Sequence, residues 1–271
     1  ITGKAGEVTQ TYVNKMLDYA DEYPDNLVVQ RLAVIYGSAL KGDNAQHYER
    51  TINSAIRYEK LYSQLEDVTE EDIKNSKIMV AQWIIDLGDY NTAVRYLEDV
   101  LAKENNKDAI LLAARCYDQL DNYKKCRQMA ELMLENTPNN TAALYYCAIT
   151  NLKEGNIEES LEYTTKICEV METVEGKEKH DAEVCLYAML QYLTINDGSG
   201  YPYQVYQKLT EEQKNIIAEN TLFYNYIQAV YYCFNGNSLD EALEYANAVL
   251  DSQENLSQAL YLQGTIYYNM K

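Results

Sequence analysis

Two histidines and six cysteines are the side chains best suited to nucleophilic, acid–base or metal chemistry in this sequence, and their spacing gathers none of them. His47 and His180 are far apart. Neither has a second histidine or a cysteine near it, so both read as surface residues and not as ligands or general bases. Cys116, Cys126, Cys147, Cys168, Cys185 and Cys233 are never closer than ten residues, which leaves no C-x-x-C pair and no zinc spacing. Each lies in a helical apolar pattern, so they are expected as reduced and mostly buried thiols, the state that suits a reducing, cytoplasmic compartment. The sequence has no phosphate loop, dinucleotide-binding glycine motif, nucleophile elbow, kinase signature or EF-hand loop. Asp197-Gly198-Ser199-Gly200 has the composition of a binding loop, but a flexible connector is the simpler reading. The acids Glu66, Asp67, Glu70, Glu71 and Asp72 read as a solvated face and a negative bias at a helix start. No catalytic set, metal or cofactor is expected, and a free-standing enzyme is the weakest reading.

The elements that position these residues must be helical. Only 3 prolines and 11 glycines occur in 271 residues, too few for the turns an all-β chain needs. With 47% hydrophobic and 24% charged residues the composition is that of a folded chain. Asp and Glu number 42 against 23 Lys and Arg, and the net charge of −19 opposes binding to nucleic acid or to an anionic membrane surface. No apolar run approaches the roughly 18–20 residues of a membrane helix, and the start has no signal-peptide pattern. The first residue is Ile and not Met, which points to a fragment or a processed product. Aromatic residues are dominated by tyrosine, 27 against 2 Phe and 1 Trp.

A repeat emerges when the turns are aligned. Gly88-Asp89-Tyr90, Asp121-Asn122-Tyr123 and Gly155-Asn156-Ile157 follow one another at 33 and 34 residues, and Asn237-Ser238-Leu239 comes after a longer gap. The middle residue is always one whose side chain caps a helix. Small residues follow at Ala93, Cys126, Ser160 and Ala242, then Leu97, Ala130, Thr164 and Ala246, then Val100-Leu101, Met133-Leu134, Ile167-Cys168 and Val249-Leu250, which trace one helix face. Upstream of each turn a second amphipathic segment carries Ala81, Ala114, Ala148 or Val230 near its middle. The unit is helix, tight turn, helix, about 34 residues long.

This pattern resembles the tetratricopeptide repeat family. In Leu256–Tyr268, Ala259, Leu260, Gly264 and Tyr267 fall at the motif's places, and Pro24 and Pro138 fall where the family has proline. The resemblance is specific from about Lys74 to Thr173 and from Leu222 to the end. The early aromatic of the first helix is replaced by Lys77, Ile110 and Leu144, and the central glycine appears only as Gly264. The resemblance implies an all-α fold, an α-solenoid of antiparallel helix pairs in a right-handed superhelix, with a concave groove lined by first helices. Carried over by position, the inward set is Arg31 and Ile35; Ile78, Gln82 and Ile85; Leu111, Arg115 and Asp118; Tyr145, Ile149 and Leu152; Tyr224, Ile227, Tyr231 and Phe234; and Gln258, Tyr261, Thr265 and Tyr268. The family's carboxylate clamp is not supported, because its places hold Ile78 with Gln82 and Leu111 with Arg115.

The flanks fit the same frame: Glu7–Glu22 as a second helix, Leu27–Lys41 as a first, Asn44–Leu65 as an over-long second, Thr69 as the next cap, and Asp181–Asn196 as a further first helix. Residues 1–196 then form an N-terminal array, 197–220 an irregular bend with a capping box at Thr210–Gln213, and 221–271 a C-terminal array whose last repeat stops after one helix. The function expected is a non-enzymatic scaffold binding a peptide or protein, neutral or basic in charge. Contacts are expected from Arg31, Gln82, Arg115 and Tyr145 and, above all, from Tyr224, Tyr231, Tyr261 and Tyr268, with Asn235 supplying an amide. Some of these tyrosines could instead pack between repeats. The alternative is a regulatory or sensory segment of a larger signalling or enzymatic protein, which the missing Met and incomplete repeat favour. The final helix carries Leu260, Leu262, Ile266 and Tyr267, so further chain or another molecule, including a second copy, is expected to cover it.

Overall fold

A computed structural model describes residues 10–39, 45–196, 221–234, 238–252 and 256–271, together with isolated positions between 207 and 218 and residue 254. The described residues form thirteen α-helices and no strand. They divide into two compact units, residues 1–133 and 134–271, with the division inside one helix.

In the first unit, α1 (Gln10–Glu22), α2 (Leu27–Ala39), α3 (Ala45–Tyr62), α4 (Glu70–Asp86), α5 (Tyr90–Leu101) and α6 (Lys107–Gln119) each pack on the next in sequence. Thinner contacts join α1 to α3, α2 to α4 and α4 to α6. Helix α7 (Tyr123–Asn136) carries the division. In the second unit, α8 (Thr141–Lys153), α9 (Ile157–Thr173) and α10 (Gly176–Asn196) form one stack, and α11 (Thr221–Phe234), α12 (Leu239–Ser252) and α13 (Ser257–Asn269) another. Such nearest-neighbour packing of helix pairs is the connectivity of an α-solenoid.

The recurring turns share one backbone. Gly88, Asp121 and Gly155 all take left-handed φ values, 86°, 53° and 83°. The amide after each bonds a carbonyl one helical turn back, as in Asp89 to Ile84 (3.2 Å), Asn122 to Tyr117 (2.8 Å) and Asn156 to Asn151 (2.8 Å). Caps then restart the chain. Asp89 Oδ1 accepts from Thr92 N at 3.0 Å and Asn122 Oδ1 from Lys125 N at 3.3 Å. Thr69 forms a full capping box with Asp72. Asn156 makes no cap bond and donates instead to Asn151 Oδ1.

The small-residue register holds throughout. Ala81, Ala114, Ala148 and Val230, with Ala93, Cys126, Ser160 and Ala242, are all buried, as are Leu97, Ala130, Thr164 and Ala246. These positions let paired helices approach closely, and Val100, Met133, Ile167 and Val249 fill the space one turn further on. Trp83 is half-buried against Tyr58, with ring centroids 5.5 Å apart. Arg50 bonds Asp18 and Asp21 and Arg57 bonds Asp21, which ties α3 to α1.

One histidine differs from expectation. His180 is exposed, but His47 is 5% exposed: Nε2 lies 2.8 Å from Gly37 O and Nδ1 3.5 Å from Gln10 Nε2. Two polar partners replace the water the ring gives up, so a polar residue becomes part of the α1–α2–α3 core. The expected helix ends at Glu7, Lys41 and Asn44 lie outside the described residues, as does most of the expected bend at 197–220.

Candidate peptide-binding surface

The expected groove residues fall into three kinds. Ile85, Ile149 and Ile227 are no more than 1% exposed and Asp118 is buried, so these four belong to the core and not to a surface. Ile149 of α8 and Ile227 of α11 lie in one core cluster with Ile167 of α9 and Leu186 of α10, where an inward-facing residue is covered by packing. The residues that do reach the surface lie in both units.

In the first unit Arg31 is exposed on α2 and Ile35, one turn on, is 44% exposed. Gln82 donates from Nε2 to Asp86 Oδ1 at 2.8 Å. Asp86 and Arg115 line one cleft of about 530 Å³, with Ser38, Tyr48 and Tyr90 also in its wall. No described acid bonds to Arg115, and Asp118 receives Gln119 Nε2 at 3.4 Å instead. The cleft therefore presents one exposed guanidinium beside two tyrosines. Tyr48 and Tyr90 were not singled out by sequence, although Tyr90 is the last member of the first recurring turn.

In the second unit aromatic rings dominate. Tyr145 is half-buried over the core of α8–α10, with its ring 5.3 Å from that of Tyr146. On α11 and α12 four rings run in series. Tyr224 meets Tyr245 edge-on at 6.3 Å, Tyr245 stacks on Tyr232 at 5.7 Å with 6° between planes, and Tyr232 meets Tyr231 at 5.1 Å. Burial, then charge repulsion from the phenol groups of Tyr224 and Tyr232 and a hydrogen bond with Tyr224, raise the Tyr245 hydroxyl above the ordinary phenol pKa. Tyr224 and Tyr231 are thus the two ends of a partly buried ladder whose middle, Tyr232 and Tyr245, sequence position did not reveal. Tyr261 and Tyr268 on α13 differ in kind: they are 78% and 77% exposed. Asn235 lies outside the described residues.

Among the described residues the arrangement contains rings, the Gln82 amide and the guanidiniums of Arg31 and Arg115, but no gathered acid–base pair. Among the described residues no cluster of three or more His, Cys, Asp or Glu could hold a metal ion. Nor is any described helix long and apolar enough to cross a membrane. Four cysteines, Cys116, Cys126, Cys147 and Cys168, are buried, while Cys185 and Cys233 are half-buried. Burial pushes the Cys116 thiol up to about 12 and that of Cys185 to about 11, so neither is an activated nucleophile.

Residues 85–148 match the family model described as Tetratricopeptide repeat. Two solved structures align with the chain. One is a tetratricopeptide repeat protein from Parabacteroides merdae ATCC 43184, at 11% identity over 94% of this chain and 98% of that one, with a TM-score of 0.42. The other is the TPR domain of P58(IPK), at 15% identity over 98% of this chain and 85% of that one, with a TM-score of 0.31. No curated protein matches the chain.

Proposed function

Since the chain is a tetratricopeptide-repeat protein, we propose that it is a non-enzymatic scaffold that binds a peptide segment or a protein partner through the aromatic surface of its second unit. The observation that carries this reading is the pair Tyr261 and Tyr268, two turns apart on α13 and more than three-quarters exposed. A tyrosine buries a large apolar face at low entropic cost and keeps a hydroxyl for hydrogen bonding. Leaving two such side chains in water, on a helix without a single charge, suits a surface that is covered in use. Tyr224 and Tyr231 extend it along α11, and Arg31, Gln82 and Arg115 are the polar contacts available in the first unit. With −19 on the chain, a neutral or basic partner is favoured and association is faster at low salt, whereas nucleic acid is disfavoured. Buried, unactivated thiols suit a reducing, cytoplasmic setting.

The test is a peptide selection on the immobilised chain from a displayed random library, followed by affinity measurements with the recovered peptide. Truncating an aromatic anchor costs on the order of 2 kcal/mol, so a Tyr261→Ala/Tyr268→Ala variant should bind at least about tenfold more weakly. Unchanged affinity in a folded variant would refute the assignment.

A further inference from the structure

Helices α9 and α12 are second helices in one register. Ser160, Thr164 and Ile167 of α9 stand 82 residues before Ala242, Ala246 and Val249 of α12, and all six are buried. Both helices carry a carboxylate and a phenol one turn apart, Glu159 with Tyr163 and Glu241 with Tyr245. Both carboxylates are exposed and both rings half-buried. The two helices differ three residues further on. In α9 Lys166 holds its ammonium over the Tyr163 ring, 5.0 Å from the centroid. In α12 that place is Ala248. Helix α12 thus repeats the groups that receive a cation in α9 and lacks the cation.

The surrounding sequence supplies no substitute. From Asn215 to Met270 there is no Lys, Arg or His, against the acids Glu219, Asp240, Glu241, Glu244, Asp251 and Glu254. Elsewhere such acids are paired within the chain: Lys77 of α4 holds Asp99 of α5 at 2.8 Å, and Lys125 of α7 holds Glu98 at 3.0 Å. Among the described residues Glu241 makes no ion pair. Its charge acts on the Tyr245 hydroxyl, and the Tyr245 ring lies parallel to that of Tyr232. A carboxylate beside two parallel rings suits a planar guanidinium, which pairs with the one and stacks along the others, better than a compact ammonium.

Given a peptide-binding second unit, on which this assignment rests, we propose that Glu241 and Tyr245 receive an arginine side chain of a basic peptide segment. That arginine gives α12 the cation that Lys166 gives α9. Tyr224 and Tyr231, at the two ends of the ladder that contains Tyr245, place the aromatic contacts beside it. The partner is therefore set by charge as well as by apolar fit: Asp240 and Glu244, both exposed on α12, favour further basic residues next to the anchoring arginine. An ion pair and a ring contact at an exposed site are each modest, so losing one reads as about fivefold in affinity.

The probe is a labelled octapeptide of alternating Arg and Gly, with Lys–Gly and Gln–Gly octapeptides as counterparts, titrated against the full chain by fluorescence anisotropy. The Arg–Gly peptide should bind tightest and the Gln–Gly peptide weakest, with affinity falling as salt rises. Two variants of α12 should each weaken Arg–Gly binding about fivefold with unchanged far-UV CD. Glu241→Gln removes the charge and keeps a residue suited to a helix first turn. Ala248→Lys restores the internal cation of α9, which then competes with the peptide. Glu66→Gln, which takes the same charge from an exposed site in the first unit, should leave binding unchanged. No binding of the Arg–Gly peptide would overturn the proposal, as would equal effects of Glu241→Gln and Glu66→Gln, or wild-type affinity in both α12 variants. A library-selected peptide that loses affinity in Tyr261→Ala/Tyr268→Ala would still support the aromatic surface in each of those cases, so the two readings fail separately.

Discussion

Gly37 of α2 lies so close to Thr51 of α3 that a Cβ on residue 37 would stand 2.3 Å from Thr51 Oγ1 and 2.6 Å from its Cγ2. Thr51 cannot swing away freely, because its hydroxyl donates to His47 O at 2.9 Å and its side chain is buried. Gly37→Ala should therefore force the two helices apart and cost about 1–3 kcal/mol, while a Gly37→Ala/Thr51→Ala double variant should regain part of that. Gly264→Ala, with open space around it, should instead stabilise the helix by up to about 1 kcal/mol. Urea unfolding of the four proteins checks this, and equal effects of the two glycine variants would refute it.

The ladder Tyr224–Tyr245–Tyr232–Tyr231 is expected to be structural in the middle and available at the ends. Tyr245→Ala should destabilise the second unit by about 2 kcal/mol through lost apolar burial and ring contact. Tyr245→Phe keeps the stack and loses only the hydroxyl's bond to Tyr224, so it should cost no more than about 1 kcal/mol. Chemical denaturation monitored by tyrosine fluorescence distinguishes the cases, and comparable losses in both variants would show that the hydroxyl, and not the ring, matters.

Stability should fall on the alkaline side. Burial raises Cys116 to about 12, Cys185 to about 11, and Tyr96 and Tyr226 to about 12. In the unfolded chain thiols ionise near about 8.5 and phenols near about 10. Below the lower value both states hold their protons and the full stability is present. Above it only the unfolded state loses protons, so stability drops as pH rises toward the folded values. The melting temperature should therefore decline steadily from about pH 8.5 upward, and a profile flat to pH 11 would contradict the buried, protonated placement of these groups.

Thiol labelling under native conditions should follow the same order. Cys233 and Cys185, which are half-buried, should react with an aromatic disulfide reagent before Cys116, Cys126, Cys147 and Cys168. Mass spectrometry at short times resolves the order, and early modification of Cys126 or Cys147 would contradict the packing.

What was legible in the sequence was the part enforced by close packing. Ala93, Ser160 and Ala242 could be placed because a larger side chain would separate two helices, and Asp89 and Asn122 because few residues can both end one helix and start another. The groove was less legible, because a first-helix position at inward spacing can be surface, as at Tyr261, or core, as at Ile149 and Ile227. The difference depends on which neighbouring helices cover the position and not on the residue itself. His47 was misplaced for the same reason: its partners, Gly37 O and Gln10, come from two other helices and leave no local pattern. Asp118 likewise reads as a charged surface residue until its neighbours are in place.

The central claim is that partners bind across the aromatic surface of α11 and α13. Hydrogen–deuterium exchange of the chain with and without a selected peptide tests it most directly. Slowed exchange is expected on Thr221–Phe234 and Ser257–Asn269, centred on the turns that carry Tyr224, Tyr231, Tyr261 and Tyr268. Protection confined to the second helices α5, α9 and α12, with α11 and α13 exchanging at the rates of the free chain, would contradict it.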